Sequence, residues 1–363
     1  MWTEALVRLK RRKLGYPAAR FDELDIEGRI DDPRKRPASV KLKVLQALKV
    51  VAAGLAAGGK GFAEVETFAS TFGTGTRKAL DLYVPIRDTT LRELFVALDP
   101  QQLRQLNIRA CKLARRRKQL ALDSPLRVLA MDGKYTTTWL HDDPGAAVQY
   151  GQWDSSTGRA KVGTITCCDI STPARPCLDA CPVPPHTNEM GAYVGALDDV
   201  LAAYGPGYFD MVTYDAGACS LANATATRKR GPHYAFCLRD NQPELCREAQ
   251  RVLGNRPAGA AADTSVRFEG SHVVTRSVSL YDLPDGWLDW THARTLVRIH
   301  CVREEKGGEA RVTREDRYYV TSLPQASLTA AQWNELVRRR WSVENNNHNV
   351  WDRILEEDKR PWI

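Results

Sequence analysis

The sequence lacks the features of exported proteins, membrane proteins and zinc fingers. No apolar signal segment follows Met1, because five basic residues fall within the first thirteen positions. The most hydrophobic stretch, 50–57, is too short to cross a bilayer and predicts a buried helix. The nine cysteines are an odd, scattered set without zinc-finger spacing, which favours reduced thiols in a cytosol. We therefore expect a soluble, cytoplasmic protein with no membrane partner.

Composition indicates a globular chain with an uneven charge. The 363 residues are 43% hydrophobic and 26% charged, enough for two or three packed units. The formal net charge of +8 divides into about +12 in residues 1–120 and about −4 in the remainder. This asymmetry predicts a front part that binds a polyanion and a catalytic part behind it. A solvated basic surface with no partner is the alternative.

The front third predicts a small helical domain. We expect a polar segment over 1–37 and a helical, DNA-binding domain over 38–120. Apolar spacing predicts helices over 41–55 and 62–68, and Asp99-Pro100 opens a later one. Thr90-Leu91-Arg92-Glu93 has the pattern of a capping box. The domain ends in four consecutive basic residues that could contact phosphates: Arg115, Arg116, Arg117 and Lys118.

After Pro125 the pattern changes to mixed α/β. Short apolar runs predict strands, and a helix is expected over 218–230. Period-two alternation predicts an antiparallel β insertion at about 262–322, and a final helix is expected from about 329 to 355. We therefore expect an α/β catalytic domain over 121–363. The predicted strands are 128–131, 164–168, 211–214 and 234–238.

Three acidic residues stand in contexts suited to holding metal ions. Asp132 and Asp215 each follow an apolar strand, and Glu344 lies in a helical stretch rich in arginine. Oxygen ligands suit Mg²⁺ or Mn²⁺, and two such ions can activate a nucleophile and stabilise the leaving oxygen in phosphodiester transfer. Taken singly, such an aspartate is usually a turn former and such a glutamate half of an ion pair. Only the set of three points to a nuclease or transposase site.

The neighbours of Glu344 support the same interpretation. On a continuous helix, Arg340 and His348 share its face, four residues to either side. Arg340 could hold a phosphate oxygen and keep Glu344 ionised. His348 could bind phosphate or relay a proton, or it could simply cap the helix or form an ion pair.

The chain resembles DDE-type transposases of bacterial insertion sequences, in particular the ISAs-type group of the IS-four-like superfamily. The resemblance runs, with gaps, from about Asp31 to the last residue, and six ordered motifs carry it. They are Met131-Asp132-Gly133-Lys134, Thr187-Asn188-Glu189-Met190, Thr213-Tyr214-Asp215-Ala216, Arg239-Asp240-Asn241-Gln242-Pro243, residues 317–323, and residues 340–348 with Arg340-Trp341-Ser342-Val343-Glu344.

The resemblance implies an RNase H-like core with Asp132, Asp215 and Glu344 as catalytic metal ligands for two Mg²⁺ or Mn²⁺ ions. It implies cleavage at the ends of the element, followed by attack of the freed 3′ hydroxyl on target DNA. Double-stranded DNA and a second copy of the chain, in a synaptic homodimer, are the implied partners, with the protein on the nucleoid when bound. The residues expected to support the ligands or contact DNA are Asn188, Glu189, Asn241 and Gln242. Further phosphate contacts are expected at Arg228, Lys229 and Arg230.

Two other functions remain open. Chains of the family usually continue past the acidic pair that Glu357-Asp358 resembles, whereas this sequence ends at Ile363. A truncated, catalytically inactive DNA-binding remnant is therefore one alternative. The other is an RNase H-like nuclease specific for DNA structure, such as a junction resolvase, which would use the same metals on branched DNA.

Overall fold

The computed structural model describes residues 23–357, apart from 25, 27, 36–38, 140–151, 155, 157–158, 258–259, 291 and 307–311. Most of the predicted polar segment 1–37 lies outside this set. The chain divides into two compact units. The first comprises the described residues of Met1–Arg117, Thr136–Thr138 and His348–Ile363, and the second those of Lys118–Tyr135 and Trp139–Asn347.

The amino-terminal part of the first unit is helical, as the sequence predicted. Its helices are α1 (Val44–Ala56), α2 (Phe62–Ser70), α3 (Thr74–Ala79), α4 (Asp88–Ala97) and α5 (Pro100–Arg116). Their apolar faces form one core, in which Val50, Val65 and Leu91 are fully buried.

Two predicted helix starts in this unit have different outcomes. Asp99 caps α5 by accepting a hydrogen bond from the Gln101 amide, as expected. The capping box at Thr90 is wrong, because α4 begins at Asp88, whose amide donates to Glu66 of α2. A tertiary contact supplies the cap that the local sequence pattern had placed two residues later.

The second unit is built on a ten-stranded mixed sheet. The strands are β1 (Val128–Trp139), β2 (Gln152–Asp154), β3 (Arg159–Asp169), β4 (Cys177–Val183), β5 (Met211–Tyr214), β6 (His233–Leu238), β7 (Asp263–Glu269), β8 (His272–Asp282), β9 (Thr295–Glu305) and β10 (Val312–Thr321). Their order is β2-β3-β1-β5-β6-β10-β9-β8-β7, and β4 also pairs with β3. Strands β1, β5 and β6 are parallel neighbours. Along the rest of the sheet, β6-β10-β9-β8-β7, each strand is antiparallel to the next.

The β-rich segment expected at 262–322 is present as the four antiparallel strands β7 to β10. They do not form a separate sheet, because β10 pairs with β6 and so extends the central sheet. Alternating hydrophobicity predicted the strands, but it carries no information about which other strand they join.

Helices cover both faces of this sheet. Helix α6 (Glu189–Tyr204) and α7 (Leu221–Lys229) lie on one face, where Tyr193 packs edge-on against Tyr214 and Phe236. Helix α8 (Pro243–Leu253) packs on β8 and β10, and α9 (Ala330–Arg340) packs on β7 and β8. None of the helices in the described part of the chain is long and apolar enough to cross a membrane.

The long final helix predicted over 329–355 is wrong. Helix α9 ends at Arg340, a π-helical turn follows over Glu344–His348, and α10 (Asn349–Arg353) is a short helix of the first unit. The apolar spacing could not reveal this break. A single turn with i→i+5 hydrogen bonds places apolar residues almost where an α-helical turn with i→i+4 bonds would.

Candidate active site

Two of the three predicted acids lie on adjacent parallel strands. The register of β1 and β5 pairs Ala130 with Thr213, so two further steps bring Asp132 and Asp215 to the same level. Asp215 directly follows β5, as predicted. Asp132 does not end its strand, because β1 continues to Trp139. It lies instead two residues past Ala130, where the pairing of β1 with β5 ends.

Glu344 comes to the same region from the turn after α9. Val343, the residue before it, is buried in the core of the second unit. On the other side of Glu344, Asn347 donates a hydrogen bond to the Sγ of Cys168 on β3 at 3.0 Å. Glu344 is thus fixed to the sheet on both sides by its neighbours in the chain.

The charges of Asp215 and Glu344 both act on Asp132, so the three carboxylates form one acidic cluster. Burial and the negative charges of Asp215, Glu344 and, more weakly, Glu189 together raise the pKa of Asp132 to about 8, against the opposing charge of Arg340. The Asp132 side chain is 7% exposed. A buried carboxyl group that is crowded by three others favours binding a cation or a proton.

Glu189 adds a fourth carboxylate to this group. It lies in the first turn of α6, and its carboxylate packs directly over Gly133. Burial, followed by the charge of Asp215, raises its pKa. The resemblance had suggested Glu189 only as a supporting residue, and nothing in the local spacing placed it beside Asp132. The small residue after Asp132 was the available signal, because a side chain at 133 would displace the carboxylate.

A tyrosine hydroxyl lies close to the same charges. Tyr214 is fully buried, and its hydroxyl has no hydrogen-bond partner within the described residues. Burial raises the pKa of Tyr214 well above its ordinary value, and Glu189, Asp132 and Asp215 raise it further. The hydroxyl therefore stays protonated beside the carboxylates.

The turn after Asp215 is fastened by two residues that follow β6. Asn241 Nδ2 donates to the carbonyl oxygens of Ala216 at 2.6 Å and Cys219 at 3.3 Å. Gln242 Nε2 donates to the same Cys219 oxygen at 3.0 Å. The predicted pair thus contacts the backbone that carries Asp215. The predicted residue Asn188 caps α6 by accepting from the Gly191 amide, so it fixes the helix that presents Glu189.

The carboxylates do not form a ligand cage as they stand. In the described part of the chain, no group of three or more His, Cys, Asp and Glu side chains is arranged to hold a metal ion. Asp215 Oδ1 accepts a hydrogen bond from the Gly217 amide at 2.7 Å. The donor set nevertheless fits a hard cation, since every candidate atom is a carboxylate oxygen and the local charge is negative.

The two predicted neighbours of Glu344, Arg340 and His348, belong to different units. Arg340 is 5% exposed, and although burial opposes its charge, Tyr319, Cys237, Asp132 and Asp215 raise its pKa. It therefore stays a buried cation whose field reaches the acidic pocket. His348 lies at the end of the π-helical turn with its ring 5.5 Å from that of Trp351, in the first unit. The continuous helical face that we expected for Arg340, Glu344 and His348 is absent.

The basic residues predicted to contact DNA are partly engaged within the protein. Arg230 forms a two-pronged ion pair with Asp198 at 2.5 and 2.7 Å. Arg228 donates to the Gly231 carbonyl oxygen, and Arg117 pairs with Glu23. The side chains of Arg115, Arg116, Lys118 and Lys229 are exposed. Their contact with phosphates stays a prediction.

A family comparison matches most of this second unit. The family described as "Transposase DDE domain" matches residues 123–362. This range includes all four acidic residues of the pocket: Asp132, Glu189, Asp215 and Glu344.

Two curated proteins of Escherichia coli K12 are similar to part of the chain. "Putative protein YbfL" is 27% identical over 161 residues, and "H repeat-associated putative transposase YhhI" is 26% identical over 161 residues. Each match covers 41% of this chain and 40% of the relative, so the chain spans less than half the length of these relatives.

A solved structure is also similar, at greater distance. It is the piggyBac transposase synaptic complex with hairpin DNA, 13% identical, with a TM-score of 0.38. The match covers 84% of this chain and 57% of that one. A TM-score of this size is too low to establish a shared fold.

Proposed function

We propose that this chain, which belongs to the family of the transposase DDE domain, is a DNA transposase that cuts DNA at the ends of a mobile element and joins the freed ends to target DNA. The observation that carries the proposal is the convergence of Asp132, Asp215 and Glu344 from two parallel strands and a helical turn. The five-strand arrangement β4-β3-β1-β5-β6, with three parallel members, supports an RNase H-like core. The ISAs-type grouping, the DNA partner and a synaptic homodimer are parts of the same proposal.

In this proposal, Asp132, Asp215 and Glu344 hold a pair of Mg²⁺ or Mn²⁺ ions. When bound, such a pair activates the attacking oxygen and stabilises the leaving oxygen of a phosphodiester. The Gly217 amide occupies Oδ1 of Asp215, and Oδ2 would be the oxygen that binds an ion. The negative charge on the buried Asp132 is costly without a counterion, so the site favours the ion it is proposed to bind.

The remaining polar residues orient these ligands. Asn241 and Gln242 hold the turn after Asp215, and Asn188 holds the first turn of α6, where Glu189 lies. Arg340 is a buried cation coupled to Asp132 and Asp215, and we propose that it balances their charge and attracts the phosphate. Preorganisation of this kind keeps catalytic groups in place before substrate binds.

The test is metal-dependent nicking by the purified chain on DNA that carries the inverted repeats of its own element. We expect nicking with Mg²⁺ or Mn²⁺, and a loss of at least about a hundredfold in Asp132→Asn, because a lost metal ligand removes the transition-state stabilisation. Asp282→Asn, an exposed change of the same kind at the end of β8, should nick normally.

Each other outcome supports a different function. Full nicking by Asp132→Asn would rule out the acidic pocket as the catalytic centre. Salt-sensitive DNA binding without any cleavage would indicate a non-catalytic DNA-binding protein. Cutting of branched DNA regardless of the repeats would indicate a structure-specific nuclease.

A further inference from the structure

A basic groove lies on the second unit, between the antiparallel strands β8 to β10 and helix α9. Its volume is about 400 Å³, within the usual range of ligand sites. Two glutamates, Glu269 and Glu315, are the acidic residues of its wall. Five arginines outnumber them: Arg175, Arg276, Arg303, Arg317 and Arg338.

Carboxylates pair with four of these five arginines and neutralise their charge only partly. Arg317 pairs with Glu315 at 2.7 Å, and Arg338 pairs with Glu335 on its own helix. Arg276 and Arg303 share the single carboxylate of Glu269, at 3.0 and 3.8 Å. Arg175 donates to the Ser342 hydroxyl at 2.9 Å, and its Nε is buried without an acceptor among the described residues. Burial, followed by the positive charges of Arg338 and Arg339, lowers the pKa of Arg175. An anion in the groove would therefore relieve repulsion between guanidinium groups.

Two guanidinium groups near the groove stack on the ring of Trp341, which lines it. The guanidinium of Arg317 stacks 3.7 Å from the centre of the Trp341 ring, and that of Arg340 lies 5.4 Å away. Stacking of this kind holds a guanidinium in one orientation, so less side-chain entropy is lost when it binds a phosphate.

We propose that this groove binds the phosphodiester backbone of DNA. Guanidinium groups match the two oxygens of a phosphate in a forked geometry, and here several of them converge on one cavity. Asn345 and Asn346, the two residues after Glu344, also line the groove. These two residues connect the groove to Glu344 along the chain, and the inference rests on the proposed transposase function.

The sequence had placed phosphate contacts elsewhere. Arg230 and Arg117, two of the predicted contacts, do not line this groove. The groove arginines come from distant parts of the chain, and alternate positions of β9 and β10 bring Arg303 and Arg317 to one face of the sheet. A positively charged groove is the feature that attracts nucleic acid, because phosphate contacts release bound counterions.

A cysteine in the groove wall gives a local test. Cys301 lines the groove and is partly exposed, and Cys246 on α8 is partly exposed but does not line it. Both thiols of the full-length protein can be alkylated with iodoacetamide, with and without a saturating 20-base-pair duplex, in EDTA so that no cleavage occurs. We expect the duplex to slow labelling of Cys301 at least about fivefold and to leave Cys246 unchanged, as read by peptide mass spectrometry.

Charge variants provide a second readout. We expect the double variant Arg175→Gln with Arg303→Gln to reduce the slope of log affinity against log salt by about two, since each phosphate contact contributes about one. The matched double variant Arg251→Gln with Arg294→Gln removes the same charge from exposed ion pairs outside the groove and should keep the slope.

Three results would overturn the proposal. The first is equal labelling of Cys301 with and without bound duplex. The second is an equal loss of slope in both double variants. The third is protection of Cys301 by metal-free ATP but not by duplex, which would indicate a site for free nucleotides. Because these measurements contain no divalent metal, their failure leaves the nicking test of the acidic pocket unaffected, and failure of nicking leaves them interpretable.

Discussion

The carboxylate of Glu189 occupies the space that a side chain at Gly133 would need. A Cβ placed on Gly133 would lie 1.9 Å from the Cδ of Glu189 and 2.2 Å from its Oε1. The glycine next to Asp132 therefore lets the first turn of α6 bring a fourth carboxylate into the acidic pocket. Glu189 is the flexible partner in this contact, so a larger residue at 133 would displace the carboxylate rather than the backbone.

Gly133→Ala should weaken metal binding while the fold persists. We expect a Mn²⁺ affinity about tenfold lower by titration calorimetry, similar to Glu189→Gln, because displaced supporting groups usually cost 10- to 100-fold. The control is Gly195→Ala in α6, where an added Cβ meets no atom within 4 Å. It should bind Mn²⁺ normally and gain about 0.5–1 kcal/mol of stability. Unchanged Mn²⁺ affinity in Gly133→Ala would show that Glu189 does not contribute to metal binding.

Asp132→Asn should stabilise the metal-free protein and make it insensitive to metal. Because the pKa of Asp132 rises to about 8, folding must either bury its charge or make it take up a proton, and asparagine avoids both costs. We expect a gain of about 1 kcal/mol or more in EDTA, which is a rise in Tm of about 2–4 °C for a unit of this size. Mn²⁺ should raise the Tm of the wild type but not of the variant, since only a bound ligand shifts the unfolding equilibrium. A variant that is less stable in EDTA, or that Mn²⁺ still stabilises, would contradict the proposed site.

Local patterns predicted the elements that carry the site. The apolar runs before Asp132 and Asp215 are strands, and the strand at 211–214 has the predicted bounds. What the patterns could not predict is pairing, because strand order and register depend on contacts distant in sequence. The placement of Glu189 beside Gly133 depends on how α6 packs on the sheet, and the attachment of β10 to β6 depends on an edge that no local feature marks.

The region around Glu344 shows a second feature that the sequence pattern could not predict. The spacing of Arg340, Glu344 and His348 predicted one helical face, yet α9 stops at Arg340. A π-helical turn presents Glu344 instead, with Asn347 bonded to Cys168 on β3. A sequence pattern records which residues are apolar, but it does not record tertiary hydrogen bonds such as this one.

Asn241→Ala should loosen the turn that carries Asp215. The amide group of Asn241 donates to two backbone carbonyl oxygens, whereas Gln242 donates to one. We expect Asn241→Ala to lose about 1–3 kcal/mol in urea unfolding, since its backbone partners are left without a donor. Mn²⁺ affinity should fall as well, because Asp215 loses its fixed position. Gln242→Ala is the matched change and should show smaller effects on both. Equal effects would mean that Asn241 has no particular role in placing Asp215.

Glu335 should make the stability of the second unit depend on pH. It receives hydrogen bonds from Arg338 and Arg339, both at 2.8 Å, and it pairs with Arg267 at 3.1 Å. Burial works against its charge, but the hydrogen bonds outweigh burial and lower its pKa from 4.5 to about 2. A lowered pKa means that the charged form stabilises the fold. This contribution is complete above pH 4.5 and is lost as the pH falls towards 2.

Glu335→Gln should therefore be less stable than the wild type by about 1 kcal/mol at pH 7, a modest value because the ion pairs are partly exposed. The difference should shrink at pH 3, as measured by urea unfolding at both values. Glu248→Gln removes a single, more exposed pair with Arg251 and should have a smaller effect at pH 7. A difference between wild type and Glu335→Gln that stays constant from pH 7 to 3 would show that the loss comes from packing. The charge of Glu335 would then have no part in holding α9 to β7, the contact that Arg267 makes across the two elements.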